Sequence, residues 1–138
     1  MGRNPVKRGE IEYPERAQQI INFSGLTFGS ITPTDLDGLI EYHNKAYVLI
    51  EMKYRDAEIK YGQKLAIERL VEDTEKAGKK SLAIIADHEV DDPKEQINAA
   101  PCIVRQYYRP KKKWHTPEKP VTVLETIKQF LDWAEANN

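Results

Sequence analysis

Apolar positions along the chain change period several times, and each change marks an element. In residues 14–23, Ala17, Ile20 and Ile21 recur at helical spacing behind Pro14, which a first helical turn tolerates, and Gly25 stands ready to end the turn. This predicts a short first helix. Residues 26–32, "LTFGSIT", read as a strand interrupted by Gly29, and Pro33 separates them from a second strand at 34–42. "HNK" at 43–45 supplies a turn, and Ala46 to Tyr54 is a nearly continuous apolar run, the pattern of a strand covered on both faces at the centre of a sheet. From Tyr61 to Ala77, residues Ala66, Ile67, Leu70, Val71, Thr74 and Ala77 fall at steps of three and four before Gly78, which predicts an amphipathic helix packed on that sheet. Residues 81–86 and 101–108 read as two more strands around a polar loop at Asp91 to Lys94. Thr122 and Glu125 then stand at capping-box spacing before a helix to about residue 136, with Val123, Leu124, Ile127, Phe130 and Ala134 on one face.

The order helix, three strands, helix, strand, strand, helix is α/β with a mixed sheet, because a hairpin is antiparallel while the central helix allows a parallel crossover. With 138 residues, 40% of them hydrophobic and 31% charged, the chain is expected to form a single domain with a real core. No apolar run approaches the ~20 residues needed to span a bilayer, and the N-terminal stretch lacks the apolar segment of a secretory signal, so a cytoplasmic protein without membrane contact is expected. Cys102 is the one cysteine, which excludes an intramolecular disulfide, and its apolar neighbours suggest a small buried hydrophobe.

Asp35, Asp37, Glu51 and Lys53 change the picture, because they interrupt segments that otherwise read as core hairpin. Side chains alternate faces along a strand, so Asp35 shares a face with Asp37 and Glu51 shares one with Lys53. A turn at 43–45 sets Asp37 opposite Glu51. Tyr47 and Leu49 lie on the Glu51 face, which suggests that it is covered, and Gly38 suggests room for the close approach of another group. An unpaired buried carboxylate is unfavourable, and two side by side raise each other's pKa unless a cation intervenes. Lys53 can neutralise one. A hard divalent ion, with Mg²⁺ fitting the ligand count, resolves the rest, acidifying a bound water and stabilising charge on a phosphate oxygen while Lys53 orients the water, deprotonates it, or offsets charge in the transition state. A cross-strand ion pair of Lys53 with Glu51 or Asp37 on a half-exposed face is the simpler alternative.

Asp37-Gly38, with Ile50-Glu51-Met52-Lys53 beginning thirteen positions after Asp37, resembles the PD-(D/E)XK nuclease superfamily. The resemblance implies a restriction-endonuclease-like αβββαβ core over residues 14–86, with the last strand and helix as an addition. It also implies Asp37, Glu51 and the Met52 carbonyl as metal ligands for Mg²⁺ or Mn²⁺, and Lys53 as catalytic lysine. Gln63 matches a glutamine that many members carry at the start of the following helix. The proline-aspartate pair is not contiguous here, since Pro33 is followed by Thr34 and Asp35, and Asp35 stands as the alternative to Asp37. Glu15 is the nearest match to a first-helix glutamate used by some members, although a helix-dipole role explains it equally.

The net charge of −1 gives no global pull toward nucleic acid, so a nucleic-acid partner needs a local patch. "YYRPKKKWH" at 107–115 offers Arg109, Lys111, Lys112, Lys113 and Trp114, cations for phosphates and rings for bases or sugars; a solvated hairpin tip is the plain alternative. His43, His88 and His115 lack ligand spacing with one another or Cys102, and Asp87 with His88 reads as a strand terminus that could face a cleft. The functional expectation is a metal-dependent phosphodiesterase acting on DNA, with RNA also open as substrate, working alone, as a homodimer or in a larger nuclease assembly. Junction resolvases and phage or mobile-element nucleases are the small members it suggests. A noncatalytic nucleic-acid- or protein-binding module that keeps the fold is the alternative, distinguished by DNA affinity that survives chelation without cleavage.

Overall fold

A computed structural model describes residues 8–111 and 113–137. The chain divides into an N-terminal unit ending at Pro33 and a larger unit beginning at Thr34. In the first, the expected helix over 14–23 is a single turn, α1, at Pro14–Ala17, followed by a 3₁₀ turn at Ser24–Leu26. The expected strand at 26–32 is absent. A lone bridge between Phe28 and Ile31 closes a tight turn around Gly29, whose φ of 65° favours glycine. Burial explains both departures: Ile20 and Ile21 are 72% and 78% exposed, so no packed face supports a helix that short, and Phe28 and Ile31 are exposed too, so nothing covers a strand there.

The larger unit is α/β, with an open four-stranded mixed sheet in the order β1 (Gly38–Tyr42), β2 (Ala46–Tyr54), β3 (Lys80–His88) and β4 (Ile103–Tyr108). β1 and β2 form an antiparallel hairpin, β2 and β3 run parallel through the helix α2 (Tyr61–Lys76), and β4 is antiparallel to β3. Two strands rather than three therefore precede α2. The hairpin turn takes left-handed backbone at His43 (φ 49°) and Asn44 (φ 57°), the primed geometry that matches strand twist, and fixes the register at Gly38 opposite Ile50 and Tyr42 opposite Ala46.

Each face of the sheet holds its own core. On one side Leu49, Ala83 and Tyr108 pack with Ile67 and Val71 of α2. On the other, Val48, Leu82, Ile84 and Val104 pack with Phe130 and Ala134 of α3 (Val123–Ala136). The central strands are thus covered twice, as continuous apolar runs require. The buried stripe of α2 is narrower than its sequence spacing suggests: Gln63, Ile67 and Val71 are buried, whereas Leu70 is 46% exposed and Ala66 and Ala77 lie in solvent. Gly78 ends α2 with φ 94°, and Lys79 donates its N–H to the Thr74 carbonyl at 3.1 Å, closing the last turn.

At the start of α3 the Thr122 hydroxyl accepts from the Glu125 N–H at 3.1 Å and donates to the Glu125 carboxylate at 3.0 Å. Leu124, expected on the packed face, is 58% exposed. Loss of this cap in Thr122→Ala is expected to lower stability by about 1 kcal/mol, read from the urea midpoint at unchanged slope. Among the described residues no helix is long and apolar enough to cross a membrane.

Candidate metal centre

The hairpin register carries the acidic residues together. β2 turns Tyr47, Leu49, Glu51 and Lys53 toward the α2 side, and the chain entering β1 delivers Asp35 and Asp37 to the same place. One carboxylate oxygen from each of Asp35, Asp37 and Glu51 lies within 4.8 Å of the other two, a group that could hold a metal ion. The two aspartates are alternatives in the sequence and partners in the structure. Asp37 is fixed from behind, its Oδ2 accepting from the Met52 N–H at 2.7 Å. The Met52 side chain itself packs into the α3-side core.

Glu51 is the unusual member. It is 3% exposed, and its Oε2 is buried without a hydrogen-bond partner. Its Oε1 lies 3.5 Å from the Lys53 ammonium, whose side chain is 19% exposed. Burial, and then the charge of Asp37, push the Glu51 carboxyl up to about 7; the Gln63 amide and Lys53 pull it back only part of the way, and Asp35 adds to the rise. A buried carboxylate oxygen without a hydrogen-bond partner is the kind of group a cation satisfies, and the Asp35 and Asp37 carboxylates close to Glu51 suit a hard ion.

Gln63 sits on the buried stripe of α2, as expected, and turns its amide toward Asp35, with Nε2 at 3.4 Å from the Asp35 carbonyl and 3.5 Å from its Oδ1. Gly38 does not serve the site. A Cβ there would meet Ile50 at an ordinary 3.5 Å, and Ile50 packs in the core on the other side of the sheet.

Comparison of the chain with protein-family models, with curated proteins and with solved structures gives no match.

The geometry of the site therefore carries the functional argument, and it shows two members of the basic stretch engaged within the fold. Arg109 is folded into the protein: its guanidinium donates to Glu75 at 2.8 Å and to the Ser81 carbonyl at 2.7 Å, and it stacks over the Trp133 ring at 4.7 Å. Trp114 lies against Tyr108 in the α2-side core and donates Nε1–H to Glu68 at 2.9 Å. Lys111 and Lys113 are exposed, and Lys112 lies outside the described residues. Arg109 and Trp114 are thus structural members of the fold rather than a free contact surface. A cavity of about 490 Å³ lined by Leu82, Tyr107, Arg109, Phe130 and Trp133 is on the α3 side, away from the acidic group.

Cys102 is half-buried, its thiol near the Asn98 carbonyl at 3.3 Å, and burial pushes its pKa up, the opposite of an activated nucleophile. Among the described residues the acidic trio is the one group with metal-ligand geometry. His88 and His115 instead pack against the rings of Tyr54 and Tyr107. Asp87 does face the same side as Lys53, held by Arg105 of β4, a partner that no local pattern in the sequence announces.

Proposed function

We propose that the protein is a divalent-metal-dependent nuclease of PD-(D/E)XK type, hydrolysing phosphodiester bonds in DNA. The observation that carries this reading is the buried, unpartnered Oε2 of Glu51 inside a carboxylate trio with a single ammonium, Lys53, beside it. Three carboxylates against one ammonium leave two negative charges when Glu51 is ionised, the charge of one divalent ion. Asp35, Asp37 and Glu51 would hold that ion, with the Met52 carbonyl as the further ligand the family resemblance supplies, and Mg²⁺ suits an all-oxygen set that leaves positions for water. Bound there, it supplies Lewis acidity to a phosphate oxygen and acidity to water.

The residues of the chain do the remaining work. The Met52 N–H fixes the Asp37 carboxylate, and the Gln63 amide faces Asp35, so both exposed ligands are pre-oriented. Lys53 offers its ammonium to negative charge growing on the phosphate as water adds to phosphorus, the ester P–O bond breaks and the water's proton ends on the departing oxygen. Asp35 and Asp37 are exposed while Glu51 is buried, so the trio opens outward from the sheet, an arrangement that suits a phosphate within a polymer better than a small enclosed ligand.

The test is cleavage of supercoiled plasmid, single-stranded DNA, branched duplex and RNA in Mg²⁺, Mn²⁺ or chelator. The expected result is strand cleavage with either metal and none in chelator, and the substrate arms identify the preferred polymer. Retention of DNA in chelator without cleavage in either metal would instead make the protein a binding module.

A further inference from the structure

The sheet face that carries Glu51 and Lys53 continues onto β3, where a fourth carboxylate stands. Parallel pairing sets Lys53 beside Asp87. Leu49 and Ala83, the pair four residues earlier on the two strands, share the α2-side core, so Lys53 and Asp87 point to that side as well. Lys53 thus has one carboxylate on its own strand, Glu51, and another on the neighbouring strand, Asp87, competing for its charge. Here it pairs with Glu51, at 3.5 Å.

Asp87 is already taken. Arg105 Nε lies 3.0 Å from both of its oxygens, and Nη2 adds a further contact to Oδ1. Arg105 comes from an irregularity in β4: Ile85 pairs with Gln106 and Ala86 with Val104, which leaves Arg105 as the extra residue of a bulge. Because of it, two consecutive side chains serve the α2 side, Gln106 reaching Lys64 of α2 at 3.3 Å and Arg105 reaching Asp87. The same guanidinium donates to the Ala57 carbonyl at 2.8 Å and to the Arg55 carbonyl, in the loop that leaves β2 just after Lys53. It is therefore held by β3 on one side and by the exit of β2 on the other.

We infer that Arg105 is a positioning residue for Lys53: by neutralising Asp87 it leaves the Lys53 ammonium to Glu51 and to the phosphate. The inference rests on the nuclease reading for its activity readout. Its geometric readout, the partner of Lys53, does not.

The experiment compares Arg105→Gln, Arg105→Lys and Arg105→Gln combined with Asp87→Asn. Three quantities are followed for each: Mg²⁺-dependent plasmid cleavage, melting temperature, and the position of Lys53 in crystals. In Arg105→Gln the charge is gone and Asp87 is free to capture Lys53, so Nζ is expected to move from Glu51 to Asp87 and cleavage to fall about 100-fold. Adding Asp87→Asn removes the competitor. The double variant is expected to cleave close to the wild-type rate while melting below wild type, because the ion pair is still missing. Arg105→Lys keeps the neutralising charge without the guanidinium fork, and is expected to retain cleavage with lowered stability.

A purely structural role predicts otherwise: cleavage would track melting temperature across the set, and the double variant would do no better than Arg105→Gln. Lys53 staying on Glu51 in Arg105→Gln crystals overturns the inference. Should Arg105→Gln fail to fold, a folded but inactive double variant overturns it, and an active one supports it. If wild-type protein cleaves nothing, the nuclease reading fails by itself, and the partner of Lys53 in the crystals still decides the positioning.

Discussion

Lys53→Ala is expected to lower metal-dependent DNA cleavage by at least about 100-fold, the scale on which removal of a preorganised charge at a transition state is felt. The fold should survive, because Lys53 lies near the end of β2 and its ammonium stands 3.5 Å from Glu51, beyond close hydrogen-bond distance. Metal binding should survive too. Asp35, Asp37 and Glu51 remain in place, and loss of the neighbouring positive charge makes the trio more attractive to a cation, so calorimetric titration with Mn²⁺ should give binding at least as tight as wild type. Cleavage and binding thus separate in Lys53→Ala. In Glu51→Ala they are expected to disappear together, since the buried oxygen that draws the ion has gone. Plasmid cleavage by Lys53→Ala at the wild-type rate would return Lys53 to an ordinary ion pair with Glu51 along one strand.

The parts of the fold that are legible in the sequence are those whose pattern is local. β2 and β3 are continuous apolar runs, and both are central strands covered on two faces. The hairpin register follows from a short turn whose two residues accept left-handed backbone, so residue spacing alone implies that Glu51 lies across from Asp37. Gln63 shows the same logic on a helix, since Ile67 and Val71 at successive four-residue steps carry it to the buried stripe.

What is not legible depends on partners distant in sequence. The apolar residues between Ile20 and Ile31 have helical and strand-like spacing, yet spacing yields a stable element only where something covers it, and Ile20, Ile21 and Phe28 are exposed. Arg109 looks like part of a basic patch until Glu75 and Trp133 are brought to it by α2 and α3. The expected strand at 34–42 begins only at Gly38, so the alternation that puts Asp35 on the face of Asp37 does not govern either residue, and their convergence with Glu51 is a property of the chain entering β1. The bulge that re-aims Arg105 is likewise invisible in a sequence without a glycine to mark it.

The buried Glu51 carboxyl makes a second large effect, this time on stability. Its pKa is about 7 in the folded protein against 4.5 for the ordinary group. Below pH 4.5 it is protonated in both folded and unfolded chains and contributes no difference. Between pH 4.5 and 7 the unfolded chain loses the proton while the folded chain keeps it, so stability falls as pH rises; above 7 the full penalty of a buried charge, about 3 kcal/mol, is present. Glu51→Gln keeps the shape and removes the charge. In chelator at pH 8 it should therefore be more stable than wild type by about 3 kcal/mol, and the advantage should vanish near pH 4. Mg²⁺ reverses the comparison, because a cation that binds the ionised carboxylate stabilises wild type by mass action and releases the proton that Glu51 holds below pH 7. Glu51→Gln should gain much less. Urea denaturation at pH 4, 6 and 8, with and without Mg²⁺, checks each arm. A wild-type protein whose stability is unchanged between pH 5 and 8 and indifferent to Mg²⁺ would mean that Glu51 is ionised and satisfied without a metal. The opposite pattern is that of a site selected for binding at the expense of the fold, since the carboxylate that weakens the metal-free protein is the one the ion requires.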